Sequence, residues 1–206
     1  MRPSPLKSFF LRVLLWLPVC FAGWYYLGGV IGVPTWLGVK TVMTGLFPEI
    51  IRAIEFQGHL LDVVLRFTPE ALPGLEIPPS QTAEMLFSVN SLTYGYGIPL
   101  YTGLVLASPG TERQKWLRWL VGLAVLILAQ VWGVSFDILK TLAFDLDPAV
   151  SAGLALSPLQ KELVALGYQF GTLILPPVTP LVLWIGLHRQ FIGELSPALA
   201  ERFTAR

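Results

Sequence analysis

The chain has 206 residues, a formal net charge of +1, 54% hydrophobic and 13% charged residues, and a mean hydropathy of +0.65. Soluble domains carry about 25% charged residues, so the composition argues against a soluble globule and for an integral membrane protein. A charge so near zero gives no reason for a nucleic-acid partner, and a single cysteine, Cys20, leaves no internal disulfide and no cysteine-built metal site.

Residues 1–32 open with Arg2, Lys7 and Arg12 and then run apolar from Val13 to Ile31. A basic start before an apolar core also describes a signal peptide. Here the apolar run continues past Ala22 through Trp24, Tyr25 and Tyr26, and no small-x-small site precedes it. Leu17-Pro18-Val19-Cys20 is a poor lipoprotein site, because Val19 is bulky. The preferred reading is an uncleaved span whose aromatic residues lie at the far interface. Pro34 to Phe47 then places Trp36, Val39, Met43, Leu46 and Phe47 on one helical face, with Lys40, Thr41 and Thr44 opposite. This predicts an amphipathic helix lying along the membrane surface, or else a continuation of the first span bent at Pro34.

Two alternating stretches follow, Ile50–Phe56 and Leu60–Phe67, around Gln57-Gly58-His59. In the second, Leu61, Val63, Leu65 and Phe67 alternate with Asp62 and Arg66. After a loop containing Pro69, Pro73, Pro78 and Pro79, alternation returns over Glu84–Val89. The period predicts a three-stranded antiparallel sheet. The last strand runs directly into the apolar stretch Ser91–Ser108, read as a second span. Asn90, Ser91 and Thr93 are available to cap it. Gly95, Gly97 and Pro99 predict a bent or closely packed first turn. A third span is expected from Trp119 to about Phe136, continuing helically to Phe144 and ending at Asp145-Leu146-Asp147-Pro148. A fourth is expected over Leu163–Leu187, kinked at Pro176, Pro177 and Pro180. Gly167 and Gly171 form a small-residue packing surface on it.

Charge sets the expected orientation. With the N-terminus inside, Arg2, Lys7, Arg12, Arg113, Lys115, Arg118, Arg189, Arg202 and Arg206 are cytoplasmic, with three acidic residues, Glu112, Glu194 and Glu201. The other side holds Lys40, Arg52, Arg66, Lys140 and Lys161 with the remaining ten acidic residues. Positive residues favour the inside. The expected fold is therefore membrane α-helical: four transmembrane helices, both termini cytoplasmic, and a small extracytoplasmic antiparallel β-sheet and interfacial helix between helices 1 and 2. The expected divisions are 1–32 (first helix), 33–90 (extracytoplasmic part), 91–188 (three-helix region) and 189–206 (tail).

Few residues offer chemistry. Gln130, Asp137, Lys140 and Gln169 are the candidate intramembrane polar residues. Asp137 and Lys140, at i and i+3, are able to pair. A charge in a span suggests function, but a pair at the outer interface that merely ends the span is the preferred reading. Gln130 and Gln169 could line a path, but more often such residues bond between helices. Asn90, Tyr94 and Tyr96 form a candidate partner surface at the strand-to-helix junction. His59 is expected at a hairpin tip, His188 at the cytoplasmic end of the last span, and Cys20 as packing. Asp145 and Asp147 are weak as a cation site. No catalytic set, metal site or cofactor site is expected.

Four segments resemble one family. They are Val89-Asn90-Ser91-Leu92-Thr93-Tyr94-Gly95-Tyr96-Gly97-Ile98-Pro99-Leu100, Trp132-Gly133-Val134-Ser135-Phe136-Asp137-Ile138-Leu139-Lys140, Leu163-Val164-Ala165-Leu166-Gly167-Tyr168-Gln169-Phe170-Gly171, and Leu173-Ile174-Leu175-Pro176-Pro177-Val178-Thr179-Pro180. Together they resemble the exosortase H-associated membrane proteins. Such proteins are named for occurring alongside an exosortase, a multi-spanning bacterial transpeptidase acting at the outer face of the inner membrane. The resemblance implies a non-catalytic accessory of a protein-sorting system in the bacterial inner membrane, with the sheet on the periplasmic side. Its partners would be membrane lipid and the exosortase or its client, and a homo-oligomer stays open. The resemblance supplies no site residues. The alternative is a subunit of a small transporter or channel, with the four polar residues along a path and the proline-broken helix freeing carbonyls. A membrane enzyme is the weakest reading.

Overall fold

The computed structural model describes residues 5–67, 83–146 and 156–195. The expected proline-rich loop, Asp147-Pro148 and the end of the tail lie outside the described residues. The elements in order are α1 (Pro5–Tyr26), α2 (Gly28–Ile31), α3 (Val33–Leu46), β1 (Ile51–Gln57), β2 (Leu60–Phe67), β3 (Ala83–Asn90), α4 (Leu92–Gly95), α5 (Gly97–Ala107) and α6 (Glu112–Lys140). A π-helical turn, Thr141–Asp145, extends α6. Then come α7 (Pro158–Gln169), a second π-helical turn (Phe170–Ile174), α8 (Leu175–Leu187) and α9 (Arg189–Leu195).

Among the described residues, three helical runs are long and apolar enough to cross a membrane: Leu6–Tyr26, Glu112–Asp145 and Pro158–Leu187. The expected second span is helical but broken. Tyr96 separates α4, of 4 residues, from α5, of 11. Eight of the eleven α5 residues are buried, so this apolar stretch is covered by protein to an extent that hydropathy does not reveal. Each piece alone is shorter than the roughly 20 residues a spanning helix needs.

The chain forms two compact units, Met1–Leu27 with Gly95–Leu126 and Pro176–Arg206, and Gly28–Tyr94 with Ile127–Leu175. In the first, Phe9 stacks on Trp184 with ring centroids 5.4 Å apart and meets Phe191 edge-on. The Trp184 indole donates to Ser108 Oγ at 2.9 Å. α5 passes closely beneath its neighbours: a Cβ on Gly97 would lie 2.8 Å from the Pro176 carbonyl oxygen, and one on Gly103 would lie 2.8 Å from Leu17.

The second unit contains an open antiparallel sheet in the order β1-β2-β3. Ile54 pairs with Val63, and Leu61 with Val89. Gly58, at φ 68, makes the β1–β2 turn in the left-handed region that favours glycine. Alternation does what the sequence predicts: Leu61, Val63 and Leu65 are buried, and with Val39 and Met43 of α3 and Val134, Ile138 and Leu142 they form one core. Burying each such side chain contributes about 1.5–3 kcal/mol. On the other face, Arg52 pairs with Glu84 and Ser88 donates to Asp62.

α3 covers the sheet. Trp36 stacks on Phe56, with its indole N–H donating to the Ile54 carbonyl at 2.8 Å. Its buried stripe is Thr35, Val39 and Met43, while Leu46 is exposed. The stripe is thus rotated towards Thr35 from the face that hydrophobicity alone suggests. The long helices end and change winding where the sequence says they should. Asp145 closes the third predicted span. The second π-helical turn immediately precedes Pro176 and Pro177, whose missing N–H groups interrupt regular i→i−4 bonding.

A buried polar junction as the candidate functional site

The strand-to-helix junction centres on Ser91, which is buried. Its N–H and its hydroxyl both donate to the His59 carbonyl, at 3.0 and 2.8 Å, tying the end of β3 to the β1–β2 hairpin. The Ser91 carbonyl accepts from Gln130 Nε2 at 2.9 Å and from the Tyr94 N–H at 3.2 Å. The Gln130 carboxamide oxygen accepts from the Thr35 hydroxyl at 2.9 Å. One carboxamide on α6 therefore holds α3 and the junction together. Asn90 Oδ1 accepts from the Leu92 N–H at 3.0 Å, starting α4.

Asp137 takes a different partner from the one its spacing suggests. Its carboxyl lies against the Tyr94 hydroxyl, which also neighbours Thr172. Lys140 instead pairs with Asp145 Oδ2 at 2.5 Å and sits over the Tyr168 ring. The cause is the π-helical turn. Its wider winding moves residue i+5 onto the face that i+4 occupies in an α-helix, so Asp145 comes under Lys140. Gln169 is exposed at the end of α7. Tyr96 is half-buried between α4 and α5.

Close backbone approach accompanies these bonds. A Cβ on Gly133 would meet Tyr94 at its Cγ, 2.9 Å away, and one on Gly171 would lie 2.9 Å from Gly133 Cα. Trp132 donates to the Gly167 carbonyl at 3.2 Å. α6 and the α7 region thus touch backbone to backbone, with Tyr94 wedged beside them.

Such an arrangement can hold and orient surfaces. The polar groups satisfy one another, and among the described residues no group of three His, Cys, Asp or Glu side chains gathers to hold a metal ion. Gln130, Asp137 and Lys140 each have partners of their own. Sequence reasoning missed Thr35 and the full role of Ser91. The signal for Thr35 was its spacing: it lies four and eight residues before Val39 and Met43, on the buried stripe. Ser91 was noticed only as a cap.

The model of a family described as exosortase H-associated membrane protein matches residues 3–191. Comparison with curated proteins and with solved structures finds no match.

Proposed function

Because the chain belongs to the exosortase H-associated membrane protein family, we propose that it is a non-catalytic accessory of an exosortase-type protein-sorting system in the bacterial inner membrane. The match over nearly the whole chain carries this reading. The sheet supports it in physical terms. Both β1 and β3 are edge strands, and an edge offers unpaired backbone groups to an added strand from a partner or client. The buried bonds around Ser91 and Gln130 hold that sheet to α3 and α6, giving a partner a fixed surface. Gln169, exposed within a candidate span, favours a protein neighbour over lipid, because a carboxamide facing lipid lacks hydrogen-bond partners.

In this reading the sheet is periplasmic and both termini are cytoplasmic. Residues 92–107 make the fourth crossing: the fifteen helical residues of α4 and α5 reach at most about 22 Å at 1.5 Å per residue, against a hydrocarbon thickness of about 30 Å. Gln57→Cys and Thr111→Cys, each in a Cys20→Ser background, test this with an impermeant maleimide on whole cells. Labelling at position 57 and none at 111 is expected. Labelling at both, or at neither, shows that 92–107 does not cross. The reverse pattern inverts the orientation.

Cys20, the only thiol, lies within α1 and is free. A thiol nucleophile needs an adjacent base or positive partner, and Cys20 lies inside the Leu6–Tyr26 run, about 9 Å from its Tyr26 end at 1.5 Å per residue. Cys20→Ala is therefore expected to leave client maturation unchanged. Loss of maturation at normal protein level would move the reading to catalysis.

A further inference from the structure

The two edges of the sheet differ. In antiparallel strands the backbone groups of alternate residues point to opposite sides. The tight turn at Gly58 closes on the pair Gln57 and Leu60. Ala53, Glu55 and Gln57 therefore bond to β2, and Ile54 and Phe56 turn their backbone groups outward. This β1 edge is blunted. The Trp36 indole N–H occupies the Ile54 carbonyl at 2.8 Å, α3 packs along β1, and the register shifts between Ile51 and Ala53.

At the other edge the Ser91 N–H bonds to the His59 carbonyl, and the same register carries Val89, Phe87 and Met85 onto β2. The N–H and C=O groups of Glu84, Leu86 and Ser88 thus point away from β2. Proteins protect such edges with bulges, prolines, lysines or a covering element. β3 keeps an unbroken register and contains neither proline nor lysine. Among the described elements, none but β2 runs along it.

Two apolar rows end at this edge. Ile54, Val63 and Phe87 stand side by side on the buried face, and Ala53, Val64 and Leu86 on the solvated face. Phe87 is only half-buried, and Leu86 is 61% exposed. The next solvated row is Glu55, Asp62 and Ser88: two neighbouring carboxylates, then a short hydroxyl at the edge.

We propose that β3 accepts an added strand from a protein partner, an extended segment with two adjacent apolar residues flanked by a Lys or Arg. That the partner belongs to a sorting system rests on the accessory reading. The apolar residues, opposite Leu86 and Phe87, extend both rows. The cation, opposite Ser88, reaches over that short side chain to Asp62, two strand spacings or roughly 10 Å away. A second copy of β3 fits worse. With Leu86 on Leu86, antiparallel pairing sets Glu84 opposite Ser88 and adds a third carboxylate to the row.

The test uses the purified full chain in detergent and blocked nine-residue peptides of Ser and Thr. Their centres are Val-Leu-Lys or, for the other strand direction, Lys-Leu-Val. Amide exchange is followed residue by residue. Slower exchange is expected at Leu86 and Ser88, with Met85 and Phe87 unchanged. The Kd should rise at least tenfold when Asp replaces the peptide Lys. It should rise as much in Leu86→Pro, which removes an outward N–H and takes no bond from β2. Should Leu86→Pro fail to fold, Ser88→Arg should reverse the preference towards the Asp peptide. In native membranes, a photo-crosslinking phenylalanine analogue at position 86 should capture a segment of another protein carrying the apolar-apolar-basic pattern. Unchanged exchange at Leu86 and Ser88, or binding indifferent to both variants, overturns the proposal. So does a crosslink only to lipid, to a second copy or to another segment of the same chain. A patterned segment from a protein outside any sorting system upholds the proposal and contradicts the accessory reading. An enriched exosortase without a β3 crosslink does the reverse.

Discussion

Gly133→Ala is expected to destabilise the protein by about 2–3 kcal/mol, the scale of overpacking a tight contact. The added methyl would sit 2.9 Å from Tyr94 Cγ and 3.2 Å from its Cβ, the root of the side chain rather than its free end. Rotation of the ring about χ2 leaves both atoms in place, and rotation about χ1 carries the hydroxyl away from Asp137. The neighbouring helical run is close as well, since a Cβ on Gly171 would lie 2.9 Å from the Gly133 Cα. Either α4 shifts, or Tyr94 leaves the Asp137 carboxyl. Alanine's better helix propensity, worth up to about 1 kcal/mol over glycine, offsets only part of this. Gly186→Ala is the control. Nothing lies within 4 Å of its Cβ position, so it should show no loss and a gain of up to about 1 kcal/mol. Unfolding midpoints of both variants in the same detergent decide the matter. Equal midpoints would show that Tyr94 does not pack tightly on Gly133.

Gln130→Leu is expected to cost about 1–3 kcal/mol, because it orphans buried groups while nearly preserving volume. The Thr35 hydroxyl loses its acceptor, and the Ser91 carbonyl loses one of its two donors. Gln130→Glu retains an acceptor for Thr35 but cannot donate to Ser91 when ionised, and it buries a charge. It should therefore be no better than leucine. A combined Thr35→Val and Gln130→Leu variant removes the Thr35 hydroxyl together with its lost partner. It should be less than additive relative to the two single changes. Full additivity in unfolding measurements would show that the two groups do not interact.

The parts of the fold governed by local periodicity were legible. The alternation of Leu61, Val63 and Leu65 marks the buried sheet face, Asp145 ends the α6 run, and Pro176 and Pro177 mark irregular winding. Residues 92–107 were only half legible. Gly95, Gly97 and Pro99 signal the break near Tyr96, but apolar side chains read the same whether lipid or protein covers them. The candidate site was least legible. Gln130 stands 39 and 95 residues from its partners Ser91 and Thr35, and no local pattern spans such distances. Lys140 was assigned to Asp137 because an ideal helix was assumed. The π-helical turn that brings Asp145 to it is set by local winding, which residue spacing alone does not disclose.

Co-isolation tests the central claim most directly. The full chain, carrying an affinity tag at its C-terminus and expressed at native level, is extracted from its own membranes in mild detergent. Associated proteins are then quantified against an unrelated tagged membrane protein of similar abundance. The accessory reading predicts that a multi-spanning exosortase is enriched in amounts comparable to the tagged chain. Recovery of the chain without an enriched exosortase, while the exosortase is present in the same extract, would contradict it.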